Sequence, residues 1–160
     1  MTTMSRTSLV LLAATIACAL HAETFAPENI VAQMLVNQTI AKYPDLRVVA
    51  MHVTPPNASD NVIIASNIGR IGKRADAEDL HVIRTGETLA KVNKNGDRFE
   101  VELVLRDASA KPIGALAIVF PYKAGDSAEQ FKKRAEMIRD ELAGKIPNVS
   151  KLMERSSAER

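Results

Sequence analysis

The chain has 160 residues, a formal net charge of +2, 46 % hydrophobic residues, one cysteine and no tryptophan. That is enough for one domain with a real core. Its cations are spread among acids rather than gathered in a stripe with stacking aromatics, which argues against a nucleic-acid binder.

The N-terminus reads as an address. Arg6 precedes an apolar run over residues 9–20, too short to span a bilayer as a helix and right for a secretory leader. Cleavage is possible after Ala19 or Ala22, and the second leaves Glu23 as a polar start. Residues 1–22 are therefore expected to be a signal peptide, 23–155 a single periplasmic domain, and 156–160 a frayed tail. A competing reading makes Cys18, preceded by Ala17, the acylated residue of a lipoprotein, although Thr15 stands where such proteins usually carry leucine. Either cut removes the only cysteine, so no disulfide, thiolate-bound zinc or cysteine nucleophile is expected.

Pro27 suits a first helical turn, and Ile30, Val31, Met34, Leu35 and Ala41 recur at helical spacing until Tyr43-Pro44. Residues 46–53 are β-rich and end at Pro55-Pro56-Asn57; residues 62–65 follow as the second arm of a hairpin. Then comes Asn67-Ile68-Gly69-Arg70-Ile71-Gly72-Lys73, with two glycines, two cations and no acid until Asp76. It reads as a mobile, electropositive loop. Asp76 and Asp79 form a capping-box pattern for a short helix with Leu80 and Ile83 that stops at Gly86.

Three more strands follow, over 88–93, 98–106 and 113–122. Asn95-Gly96 is expected to supply the positive φ angles of a tight hairpin turn between the first two, and the polar link 107–112 makes the three an antiparallel meander. In the middle strand Phe99, Val101, Leu103 and Leu105 alternate with Arg98, Glu100, Glu102 and Arg106. One side is core, and the charged side is expected to carry solvated cross-strand ion pairs. Residues 113–120 are apolar on both faces, as in a covered central strand, and Gly114, Ala115 and Ala117 leave room for a close-packed helix or a ligand. Ser127 and Gln130 open a last long helix with Phe131, Ala135, Ile138 and Leu142 on one stripe. Gly144 and Pro147 close it before a short helical piece over 149–153. Met34, Met51, Met137 and Met153 read as core filler.

The chemistry points to binding. Arg70 and Lys73 suit a carboxylate or phosphate, with Gly69 and Gly72 letting backbone N–H groups approach it. The alternative is a solvated loop whose glycines only make turns. His52, on the face of Val48 and Ala50, points toward the same place as Asn67, and Tyr122 offers a hydroxyl at the mouth; a strand-edge histidine and a core-capping ring are the plainer alternatives. Ala117 and Val119 would floor the site. Two separated histidines, His52 and His81, define no metal site, and neither a catalytic carboxylate pair nor a serine elbow can be assembled, so no cofactor, metal or catalytic residue is expected.

The order of elements, the long N-terminal helix on an exported chain, the Gly69-Arg70-Ile71-Gly72 loop followed by Asp79-Leu80, and the Asp107-Ala108-Ser109 turn into Ile113-Gly114-Ala115-Leu116 resemble an extracytoplasmic PAS-like sensor domain of the Cache type, over residues 26–143. The resemblance implies an α+β fold: a five-stranded antiparallel sheet with a long N-terminal helix, a short helix over the sheet and a C-terminal helix. It places a small-molecule pocket between the sheet and residues 67–86. Cache domains commonly sit between two membrane helices, whereas this chain stops soon after its last helix, so a membrane-bound signalling partner is expected. The function so read is non-enzymatic binding of a small, anionic metabolite in the periplasm; the alternative is an envelope interaction protein with both sheet faces filled.

Overall fold

The computed structural model describes residues 29–157. The expected leader, with Cys18 and His21, lies outside them, as do Pro27 and residues 158–160. The elements are α1 (Val31–Lys42), β1 (Val48–Val53), β2 (Val62–Ser66), α2 (Ala77–Thr85), β3 (Leu89–Val92), β4 (Arg98–Arg106), β5 (Pro112–Pro121), α3 (Ala128–Ala143) and α4 (Val149–Met153). The strands form one antiparallel sheet in the order β2-β1-β5-β4-β3. This is the α+β, PAS-like architecture that the resemblance implied, and it puts the doubly apolar β5 at the centre.

The two faces are unequal. Met51, Val53, Leu103, Leu105, Leu116, Ile118 and Phe120 belong to the main core, with Leu35 and Val36 of α1, Ile138 and Leu142 of α3, and Leu152 of α4. The opposite face holds a small cluster of Val82, Val104 and Ala115 with Ile83 and Leu89 packed against it. Among the described residues, only α2 and the loop before it cover that side. Alternation along β4 and β5 therefore sorts large side chains to three helices and small or polar ones to a single thin cover.

Several local expectations change. The buried face of α1 is Ala32, Gln33, Leu35, Val36 and Thr39, while Ala41 is exposed. The reason is polar: Gln33 Nε2 donates to Ser66 O at 3.2 Å and Gln33 Oε1 accepts from Ser66 N at 3.0 Å, so one side-chain amide pins α1 to the end of β2. In the β3–β4 connection, residues 93–97, only Gly96 has positive φ, at 71°, and not Asn95 as expected, and Asn93 Oδ1 accepts from Asp97 and Arg98 N–H. Ser127 Oγ accepts from Gln130 N at the start of α3. Met137 is exposed, not core. Ser156, assigned to the frayed tail, donates its N–H to Asn29 O at 2.7 Å and so closes the domain beside Ile30.

Candidate functional site

The thin side of the sheet encloses a cavity of about 80 Å³. Its space comes from residue size. In register, Ala50 of β1 lies beside Ala117 of β5, which lies beside Glu102 of β4, while His52 lies beside Ala115. Two alanines on the central strand thus separate a histidine from a carboxylate, and no large side chain fills the gap.

The cover is built from the loop. Asn67 Oδ1 accepts from Val49 N at 2.8 Å and Nδ2 donates to Arg47 O at 3.0 Å, so this side chain stands in for a strand residue beside β1. Gly69, Arg70 and Gly72 all take positive φ, between 66° and 84°. That left-handed run doubles the chain back along β2, where Gly72 N donates to Ile63 O and Ile63 N to Lys73 O, both at 2.9 Å. The segment expected to be mobile is laced to the sheet edge. Asp76 then caps α2: its Oδ1 accepts from Glu78 N and Asp79 N, and Asp79 Oδ2 accepts from Asp76 N at 2.8 Å. Across the sheet, Lys91 of β3 pairs with Glu78 of α2 and lies 3.8 Å from Glu100.

His52 and Asp79 meet in the interior. His52 Nδ1 is 3.2 Å from Asp79 Oδ2, yet this nitrogen makes no hydrogen bond. Burial holds the imidazole below its usual range and pushes the Asp79 carboxyl up, the latter opposed by the Asp76 N–H bond. Glu102, 6 % exposed, has an Oε2 with no hydrogen-bond partner. Burial, then the charges of Asp79, Glu100, Asp76 and Glu78, push its carboxyl up to about 7. The solvated ion pairs expected for this face of β4 are replaced, at Glu102, by a buried and unpaired acid.

Of the residues singled out from sequence, His52, Arg70, Lys73 and Ala117 line the cavity. Asn67 does not: both ends of its amide are engaged by the backbone of Arg47 and Val49. Gly72 cannot offer its N–H to an anion, since Ile63 O already accepts it, and Gly69 serves the loop's left-handed turn. Tyr122 is on the wrong side of the sheet, packed 5.9 Å from Phe99 and 6.3 Å from Phe131 between ring centroids. Val119 is buried one pleat beyond the cavity floor. The residues missed are Asp76, Asp79, Glu100 and Glu102, and their presence makes the lining acidic below a cationic mouth.

A larger groove of about 640 Å³ opens beside β2, lined by Pro55, Pro56, Ile63, Ile64, Ile71 and Met153. It has room for a ligand but no charged side chain in its lining, whereas the small cavity is lined by the buried titratable groups of His52, Asp79 and Glu102.

No protein-family model matches the sequence, and no curated protein matches it. Among solved structures the chain is similar to the repressor BlcR of Agobacterium tumefaciens, at 14 % identity and TM-score 0.49 over 73 % of this chain and 67 % of that one. It is similar to the inducer-binding domain of the PobR transcription factor from Acinetobacter, solved as a double mutant with 3-hydroxybenzoic acid, at 12 % identity and TM-score 0.47 over 74 % and 96 %. A type II free methionine-R-sulfoxide reductase from Thermoplasma acidophilum gives 14 % identity and TM-score 0.46 over 71 % and 94 %.

Proposed function

We propose that this chain is a sensor-type domain that binds a small polar metabolite between the sheet and residues 67–86, without making or breaking bonds. The observation that carries this reading is the cavity under α2, lined by His52 and Glu102, each of which has a buried polar atom, Nδ1 and Oε2, without a hydrogen-bond partner. Leaving such atoms unpaired costs about 1–3 kcal/mol each, a cost that a guest with matching groups removes. Arg70 stands at the mouth and forms no ion pair among the described residues, and Lys73 beside it is only 3.9 Å from Asp76 Oδ2. In this reading the two cations hold an anionic group of the metabolite. Binding then biases the loop and α2, and a membrane-bound partner reads that bias.

The periplasmic setting and the Cache-type role belong to the same proposal. They draw on the leader pattern of residues 1–22, and the mass of the protein recovered from the envelope tests them: a chain starting at Glu23 supports export, while a diacylated Cys18 puts the domain on a membrane instead.

Binding is tested by a thermal-shift screen of organic acids, amino acids and nucleobases on the purified protein, with Arg70→Ala as the control. A hit that stabilises the wild type and loses its effect in the variant supports the site. A panel with no hit, or an anionic hit indifferent to Arg70, sinks it. The second reading, an envelope interaction protein, draws on the apolar groove beside β2, and predicts that the screen stays silent while Ile71→Asp and Met153→Asp abolish partner capture.

A further inference from the structure

The mouth of the cavity is cationic, but its floor is not. Four carboxylates, Asp76, Asp79, Glu100 and Glu102, face two cations, Arg70 and Lys73. Lys73 lies 3.9 Å from Asp76, and Glu100 has Lys91 at 3.8 Å. Asp79 and Glu102 make no salt bridge to a Lys or Arg among the described residues, Lys73 and Lys91 acting on them only at longer range, and both are buried. A guest that put only an anion on this floor would add a negative charge beside two carboxyls that no Lys or Arg contacts.

We propose that the floor takes the ammonium end of a small organic amine, with Glu102 as its anchoring carboxylate. This rests on the reading that the cavity is a ligand site. The acceptors match the guest. An ammonium group has three N–H donors and no acceptor. Glu102 Oε2 makes no hydrogen bond, His52 Nδ1 makes none and is an acceptor when the ring is neutral with its proton on Nε2, and Asp79 presents carboxylate oxygen beside it. His52 is only 5 % exposed and Glu102 6 %, so bulk water does not serve them. The strands β1 and β4 that carry them flank β5 and so stand about 10 Å apart, a gap the two side chains and one small group between them can close.

Size sets the rest of the class. A cavity of about 80 Å³ is the share of roughly two or three waters. It admits the nitrogen and one or two carbons, with the methyl groups of Ala50 and Ala117 against the carbons. Anything larger must extend toward Arg70 and Lys73, where an anionic group finds its partners. Among the described residues no group of three or more His, Cys, Asp or Glu side chains is arranged to hold a metal ion. An ammonium ion suits the floor through directed N–H bonds instead.

Protons follow from the same geometry. The groups facing Glu102 are Asp76, Glu78 and Asp79 from α2, His52 from β1, Glu100 on its own strand, Lys91 from β3, and Arg70 and Lys73 from the loop. Burial and the acids among them hold its carboxyl near 7, so below that pH an entering ammonium must displace a proton. Bound affinity should fall about tenfold from pH 8 to pH 6, the ratio of the ionised fractions of such a group.

The test is an amide NMR titration of the purified protein with ethylammonium, propionate and tetramethylammonium at pH 6 and pH 8 in phosphate. The expected result is that ethylammonium shifts the His52, Glu102 and Ala117 amides, binds about tenfold tighter at pH 8, and loses at least tenfold in affinity, with its pH dependence, in Glu102→Gln. The wild-type pH dependence stands whether or not the variant folds. Tetramethylammonium binding equally well, affinity independent of pH, or Glu102→Gln binding unchanged would each overturn the proposal. If propionate shifts these amides and ethylammonium does not, the ligand site survives and its ammonium floor is wrong; if neither does, both fall.

Discussion

Asp79 Oδ2 accepts the backbone N–H of Asp76 at 2.8 Å and lies 3.2 Å from His52 Nδ1, so one oxygen both closes the N-terminal box of α2 and faces the buried histidine of β1. The helix that covers the cavity and the residue on its floor are therefore coupled through a single carboxylate. Asp79→Ala leaves the Asp76 cap in place but removes the reciprocal bond to Asp76 N–H, which should cost about 1 kcal/mol. It should also move the His52 titration further down, because burial, the largest influence, already lowers it and Asp79 is the first of the charges that oppose this. Urea unfolding and the His52 ring-proton titration check the two parts. A His52 that titrates higher in the variant would show that Asp79 does not favour the imidazolium.

Glu102 gives a prediction about stability and pH. Its folded carboxyl is raised from 4.5 to about 7, so between those values the folded chain holds a proton that the unfolded chain releases. The associated stability is fully present below about 4.5 and is lost as pH rises to about 7. At pH 8 the ionised, buried acid costs up to about 3 kcal/mol relative to its neutral form. Glu102→Gln removes that cost. The variant should match the wild type near pH 4.5 and exceed it at pH 8, by as much as about 3 kcal/mol in denaturant unfolding. A difference that does not change with pH would mean that Glu102 is solvated.

These two residues also show what was legible in the sequence. The alternation from Arg98 to Arg106 put Glu102 opposite Leu103, and the capping pattern put Asp79 at the start of α2; both hold. That Glu102 is buried depends on where α2 lands, which is a contact between segments with no local pattern. The pairing of β1 with β5 is of the same kind, and it is what brings His52 beside Ala115. Tyr122 is different. Counting by twos from Ala117 reaches Val119 and Pro121, so period-two spacing already sends Tyr122 to the side of Ile118 and Phe120. Asn67 reads as polar and near the cavity, but its two bonds to the backbone of Arg47 and Val49 follow from the pairing of β1 with β2 and not from its own neighbourhood.

Gln33 carries the third prediction. It is buried on α1, and its amide exchanges two hydrogen bonds with the backbone of Ser66, the last residue of β2. Gln33→Ala leaves the Ser66 N–H and C=O without these partners next to the loop that roofs the cavity. The expected cost is about 2–4 kcal/mol, since each buried group left unpaired costs about 1–3 kcal/mol. Hydrogen exchange should quicken at the Ser66 amide before it does on β4. Unchanged protection at Ser66 would show that the amide pair contributes nothing to holding the roof.

Gly114 tests whether the site depends on the close approach of β1 and β5. The residue pairs with Val53 and Leu105, and a methyl group there would sit 2.0 Å from the carbonyl oxygen of His52 and 3.1 Å from Val53 Cγ2. The obstacle is backbone, so no rotamer relieves it. Gly114→Ala must push β1 away from β5 at the end of the strand that carries His52, and overpacking of this kind costs about 1–3 kcal/mol or more. A melting shift alone would not separate this from a generic core defect. The telling measurement is the His52 ring: its titration should rise toward the ordinary histidine range as the parted strands admit water, while the Tyr122, Phe99 and Phe131 ring signals at the far end of the sheet's other face stay in place. A stable variant with an unmoved His52 would mean that β1 and β5 have slack at this point, and that the alanines alone make the room between His52 and Glu102.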